Sequence, residues 1–134
     1  MAYIQWSDEF SVGVREIDDQ HKKLFETLNT FYDSMGSDNQ AALGKLLNSL
    51  ADYTMYHFRT EEKYFDKFQY AESQKHKQEH QEFVDQVLDV KGKFESGKLV
   101  LSVAITGFIK KWIQEHVKDS DQKYRQCFIE NGLS

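Results

Sequence analysis

The sequence predicts an all-α protein: an antiparallel up-down-up-down four-helix bundle with an ordered N-terminal arm and a short C-terminal helix. Three observations carry this expectation. The 134 residues contain no proline and only seven glycines, so little interrupts a helix. Apolar residues recur at helical rather than alternating spacing, as on a helix with one buried face. Four such stretches of about 20 residues are separated by short turn signals, and short turns make consecutive helices antiparallel neighbours.

The first sixteen residues lack helical periodicity, yet Trp6, Phe10, Val12 and Val14 are too apolar to face water, so they are expected to lie across the bundle. The first stripe reads Ile17, His21, Leu24, Phe25, Leu28, Phe31, Tyr32 and Met35 and ends at Gly36. Ser37, Asp38 and Asn39 then offer capping side chains for the second helix. That helix carries Leu43, Leu46, Leu47, Leu50, Tyr53, Thr54, His57, Glu61, Tyr64 and Phe65, and it closes at an aromatic turn around Phe68 and Tyr70. Ser73 is the expected cap of the third helix. Its inner face reads His76, His80, Phe83, Val84, Val87, Leu88 and Phe94 before Gly97 breaks it. The fourth reads Leu101, Ile105, Phe108, Ile109, Trp112, Ile113 and His116, and Tyr124 and Phe128 mark a last helical piece beyond Asp121. At this length a single domain over residues 1–134 is expected.

Composition narrows the function. A net charge of −5 with no basic patch argues against nucleic acid. The N-terminus has no secretory signature, and the longest uncharged stretch, Leu99 to Ile109, is short of the roughly 20 residues that cross a bilayer. A cytoplasmic protein without membrane insertion is expected. Cys127 is the only cysteine, which rules out an intrachain disulfide and a cysteine metal cluster.

The histidines are the informative residues. All five of them, His21, His57, His76, His80 and His116, fall on the inner stripes with Glu61 and Asp121. His57 with Glu61, and His76 with His80, are i,i+4 pairs that share one helix face. Antiparallel order brings the starts of helices one and three and the ends of two and four to one end of the bundle. Buried carboxylates and imidazoles without partners cost several kcal/mol, whereas divalent metal satisfies them together. Seven ligands exceed one ion's needs, and two carboxylates can bridge two ions. With no thiolate available, imidazole plus carboxylate suits iron best, with manganese or zinc pairs less favoured.

The segments GVREIDDQHKKLF, HFRTEE, HKQEH and WIQEHVKDSD resemble the signature segments of the hemerythrin family, and the chain length resembles its single-domain bacterial members, the bacteriohemerythrins. The resemblance implies a non-haem diiron centre, oxo- or hydroxo-bridged. His76, His80 and His116 would hold one iron and His21 and His57 the other. Glu61 and Asp121 would bridge them, leaving an open position for dioxygen on the two-histidine iron. It also implies that Trp112 and Ile113 border the dioxygen pocket. Helical phase places Leu24, Phe25, Leu50, Tyr53 and Phe83 within a turn of the ligands, where they also serve as ordinary core. The expected function is reversible oxygen binding by a monomer, for storage or delivery to an oxygen-consuming enzyme, rather than catalysis. A diiron oxidase or peroxidase, or an oxygen sensor acting through a partner, are the alternatives. Ferritin-like diiron enzymes carry paired ExxH motifs and four carboxylates, a pattern this chain lacks.

Overall fold

The computed structural model describes residues 3–36, 40–97 and 103–134. Its helices are α1 (Arg15–Asp33), α2 (Gln40–Phe68), α3 (Ser73–Glu95), α4 (Val103–Glu115) and a short α5 (Arg125–Glu130). A π turn (His116–Ser120) and a 3-10 turn (Asp121–Tyr124) connect the last two. No strand occurs among the described residues, and none of their helices is long and apolar enough to cross a membrane.

α1 packs on α2 and α4, and α2 packs on α3. Phe83 of α3 stacks on Trp112 of α4 with ring centroids 4.0 Å apart, closing the ring of four. At one end, Phe31 near the end of α1 meets Leu43 and Leu47 near the start of α2, with Val90, Phe94 and Ile105 against them. Late residues of α1 and α3 thus meet early residues of α2 and α4, which is the expected up-down-up-down order. Gly44 permits this approach, since a Cβ there would lie 2.8 Å from the Phe94 ring.

The turn between α2 and α3 sets the register of the ligand-bearing segments. Gln69 adopts a left-handed conformation (φ 52°), and the Tyr70 N–H donates to the Phe65 carbonyl at 3.0 Å. The Phe65 and Tyr70 rings pack at 5.1 Å. This is a Schellman closure with its apolar contact, formed on glutamine at a cost of about 1–2 kcal/mol relative to glycine. Ser73 is the first residue of α3 rather than its cap, and Glu72 before it makes no side-chain capping bond. The expected caps Ser37, Asp38 and Asn39, and also Leu101, lie outside the described residues.

The N-terminal arm is ordered as expected. Ile4, Phe10, Val12 and Val14 are buried. Asn29 of α1 grips Ile4 twice, accepting from its N–H at 2.8 Å and donating to its carbonyl at 2.9 Å. Asp18 accepts from the Ser11 hydroxyl and the Val12 N–H. Two stripe assignments differ from expectation: Leu88 and Phe108 are 44% and 38% exposed. Each adjoins a core residue, Val87 and Ile109, and a step of one residue turns a side chain by about 100° around the helix.

Candidate metal centre

The seven predicted ligands converge. His21 comes from the second turn of α1, His57 and Glu61 from the second half of α2, and His76 and His80 from the start of α3. His116 and Asp121 open the π and 3-10 turns after α4. All seven are 0–5% exposed. They form two overlapping groups, His76, His80, His116, Glu61 and Asp121 on one side and His21, His57, Glu61 and Asp121 on the other. Within each group one donor atom per residue lies within 4.8 Å of every other, and the two carboxylates belong to both.

Asp121 divides its oxygens between the groups. Oδ1 lies 3.0 Å from His76 Nε2 and 3.1 Å from His116 Nε2, whereas Oδ2 lies 3.1 Å from His21 Nε2. Glu61 Oε1 lies 3.3 Å from His57 Nε2 and 3.2 Å from His80 Nε2. His80 Nε2 and His116 Nε2 face each other at 3.1 Å.

Apart from the His80–His116 contact, these close approaches are poorly aligned as hydrogen bonds. Both nitrogens of His21, His76 Nε2, Glu61 Oε1 and both Asp121 oxygens are buried without a hydrogen-bond partner. Each such group costs about 1–3 kcal/mol if it stays unsatisfied. Lone pairs from five imidazoles and two carboxylates aimed at shared points fit a pair of divalent ions of intermediate softness.

The π turn explains how His116 and Asp121 both contribute. Five residues along an α-helix advance about 500°, which leaves the side chains about 140° apart. Here the Asp121 N–H donates to the His116 carbonyl, an i→i+5 bond that widens the turn and brings the two residues onto one side.

A second layer of polar groups orients the rings, and sequence reasoning missed it. Gln20 Oε1 accepts from His57 Nδ1 at 2.8 Å, while the Gln20 amide nitrogen donates to Thr60 at 3.3 Å. Glu62 accepts from His80 Nδ1 at 2.8 Å. Glu79 faces His116 Nδ1 at 3.3 Å and accepts from the Ser120 hydroxyl at 2.6 Å. The proton kept on Nδ1 leaves Nε2 free to point inward. The buried Tyr124 hydroxyl donates to Glu61 Oε2. A usable signal existed: Gln20, Glu62 and Glu79 each adjoin a predicted ligand in sequence.

Charge follows the same plan. Burial and the Asp121 carboxylate push Glu61 up, but His57 and His80 outweigh them and hold it low. Burial likewise opposes an ionised Asp121, and His116 prevails in keeping it ionised. Burial also works against a charged His116, but Asp121 and Glu79 raise its pKa to about 10. His80 is raised against the same burial by Glu61 and Glu62, whereas burial dominates at His57 and lowers it. The adjacent His116 ring, with the Ser120 hydroxyl, holds Glu79 at about 2.

The expected apolar residues surround this cage. Leu24, Phe25, Leu50, Phe83 and Ile113 are buried in one core cluster, with Tyr53 and Trp112 partly buried against it. Trp112 stacks on His116 at 4.4 Å. Phe58, absent from the expected stripe, stacks on His80 at 3.7 Å and 4°.

Comparison with known proteins agrees with this arrangement. Residues 12–127 match the family described as Hemerythrin HHE cation binding domain. The chain is 34% identical to a bacteriohemerythrin of Methylococcus capsulatus, covering 95% of this chain and 98% of that one. It is 31% identical to a bacteriohemerythrin of Pseudomonas aeruginosa, over 92% of this chain and 80% of the relative. A hemerythrin-like protein of Naegleria gruberi is 34% identical over 90% and 89%. The crystal structure of a wild-type hemerythrin superposes with a TM-score of 0.92 at 34% identity, covering 94% of this chain and 98% of the other. A buried cage of histidines and shared carboxylates, set in a bundle that matches along nearly its whole length, therefore places this chain in the hemerythrin family.

Proposed function

We infer that this protein binds dioxygen reversibly at a non-haem diiron centre, as a cytoplasmic monomer that stores oxygen or delivers it to an oxygen-consuming enzyme. Residues 1–134 form a single hemerythrin-like domain in this reading. His76, His80 and His116 hold one iron, His21 and His57 the other, and Glu61 and Asp121 serve both. The observation that carries it is the division of Asp121, with Oδ1 toward two histidines of one group and Oδ2 toward His21 of the other.

Bound iron supplies the redox equivalents for capturing dioxygen; the polypeptide supplies the rest. Two carboxylates and uncharged imidazoles give the cage a formal charge of −2, which offsets much of the charge of two divalent ions in a low-dielectric interior. Ligand numbers are unequal: three histidines and two shared carboxylates on one side, two and two on the other. An exogenous ligand would bind on the side with fewer residues, that of His21 and His57. The apolar cluster of Leu24, Phe25, Leu50, Phe83 and Ile113 would limit water there, which favours release of oxygen over its reduction, while Trp112 covers His116 on the three-histidine side.

The deciding experiment is anaerobic reduction of the iron-loaded protein, followed by addition and removal of oxygen under visible absorption. A band that appears with oxygen and vanishes on evacuation, with two irons per chain, supports a carrier. Continuing oxygen consumption with excess reductant would make the protein an enzyme instead.

A further inference from the structure

Metal must reach a cage whose side chains are at most 5% exposed, and two surface clefts end on the outer edges of its imidazole rings. The larger, about 460 Å³, reaches His80 and Glu62 and carries Arg59 and Lys77 on its walls. The smaller, about 200 Å³, reaches His116 and is walled by Glu79, Trp112, Glu115, Asp119 and Ser120. Its lining holds three carboxylates and no lysine or arginine. A neighbouring hollow extends it from Glu115 and Asp119 toward Glu9, where the nearby Lys118 is paired with Glu9 at 3.6 Å.

We propose that the acidic cleft over His116 is the passage through which divalent metal ions enter and leave the cage. Glu115 and Asp119 collect the ion at the mouth, and Glu79 presents it to His116. The inference rests on the metal-centre reading above. Independent of the carboxylates is the placement of His116 itself. Its Nδ1 is buried and lacks an aligned hydrogen bond, and it faces the cleft, with Glu79 Oε1 at 3.3 Å. Its Nε2 faces inward, 3.1 Å from Asp121 Oδ1. One ring thus stands between cleft and cage with a nitrogen on each side. It is carried by the π turn, a rare local geometry that recurs at functional sites.

Electrostatics decides between the clefts where size would mislead. Carboxylates on a concave, low-dielectric wall focus the field and raise the local concentration of cations, with effects on association of about 10–10³-fold. In the roomier cleft Arg59 offsets Glu62 and Lys77 is paired with Asp66 at 2.6 Å, so no comparable negative field draws cations there.

The test uses the loaded full-length chain. Diferrous protein, kept without oxygen at low ionic strength, is mixed with iron-57 ferrous ions, and exchange is followed by native mass spectrometry. Because entrance and exit share one path, Glu115→Gln with Asp119→Asn slows exchange several-fold while leaving iron content at two per chain. Added salt narrows the difference. Arg59→Gln with Lys77→Gln leaves the rate within about twofold. An unchanged rate in the acidic pair overturns the proposal. So do opposite shifts of similar size in the two pairs, since that would mean net charge alone sets the rate. Iron content below two in the unaltered chain would instead overturn the diiron reading itself.

Discussion

The two halves of the cage are built from the same residue types but supported differently. In the three-histidine half, His80 and His116 are backed by the carboxylates Glu62 and Glu79. In the two-histidine half, His57 is backed by the neutral amide of Gln20, and His21 Nδ1 has no partner. A carboxylate behind an imidazole raises its basicity and strengthens its hold on a metal, whereas an amide only orients the ring. The asymmetry teaches a division of labour. On the diiron reading, the half backed by carboxylates would anchor its ion more firmly, and the half backed by an amide would hold its ion loosely enough to leave room for an exchangeable ligand.

The comparison breaks first at the shared carboxylates. Glu61→Ala removes a ligand common to both halves, so iron content should fall below one per chain by metal analysis after gel filtration. Retention of two irons would show that Glu61 serves neither. The second test separates the halves. Glu79→Gln or Glu62→Gln should weaken metal retention by about 10–100-fold under chelator challenge, with the three-histidine ion lost first. Gln20→Ala should cost less and affect the other ion, and equal losses would erase the asymmetry.

A third test uses protons. In chelator-stripped protein His116 is raised to about 10, so it carries a proton at pH 7, and the neighbouring carboxylates Glu61 and Glu62 push His80 in the same direction. Metal must displace the His116 proton. Loading should therefore release protons in a pH-stat, and apparent affinity should rise by up to about tenfold per pH unit for each proton displaced. The metal-free fold responds in the opposite sense. A raised histidine stabilises it fully below the unfolded-state value near 6.5, and that contribution is lost as pH rises toward about 10. Glu79, depressed from 4.5 to about 2, stabilises above pH 4.5 and loses its contribution as pH falls toward 2. Thermal melts of stripped protein that gained stability steadily from pH 7 to 10 would contradict this assignment.

The smallest expected effect lies in the apolar lining. Ile113→Ala should keep both irons while the oxygen-bound form oxidises several-fold faster, because water gains access. It should also lower global stability by about 2–4 kcal/mol through the cavity left behind. Stopped-flow decay at an unchanged rate would mean that Ile113 is core and nothing more.

Much of this architecture is legible in the order of the amino acids. The i,i+4 spacings of His57 with Glu61 and of His76 with His80 are local geometry, fixed once a helix forms. Stripe periodicity and short turns then imply which ends meet. The His116 to Asp121 spacing of five is equally visible, yet its consequence depends on a π turn that ordinary helical phase does not suggest. Leu88 and Phe108 show the limit of a stripe: apolar residues next to a core position need not themselves be buried.

What the sequence determined alone was the helical class, the number of helices and the pairing of His57 with Glu61 and of His76 with His80 on shared helix faces, because these follow from spacings within single helices. What the tertiary structure decided was how the candidate ligands are divided and supported: Asp121 shared between groups, Glu79 and Glu62 behind one half, Gln20 behind the other, and Phe58 against His80. Pairings between helices depend on rotation, register and rotamer at the interfaces, and no spacing along the chain encodes those.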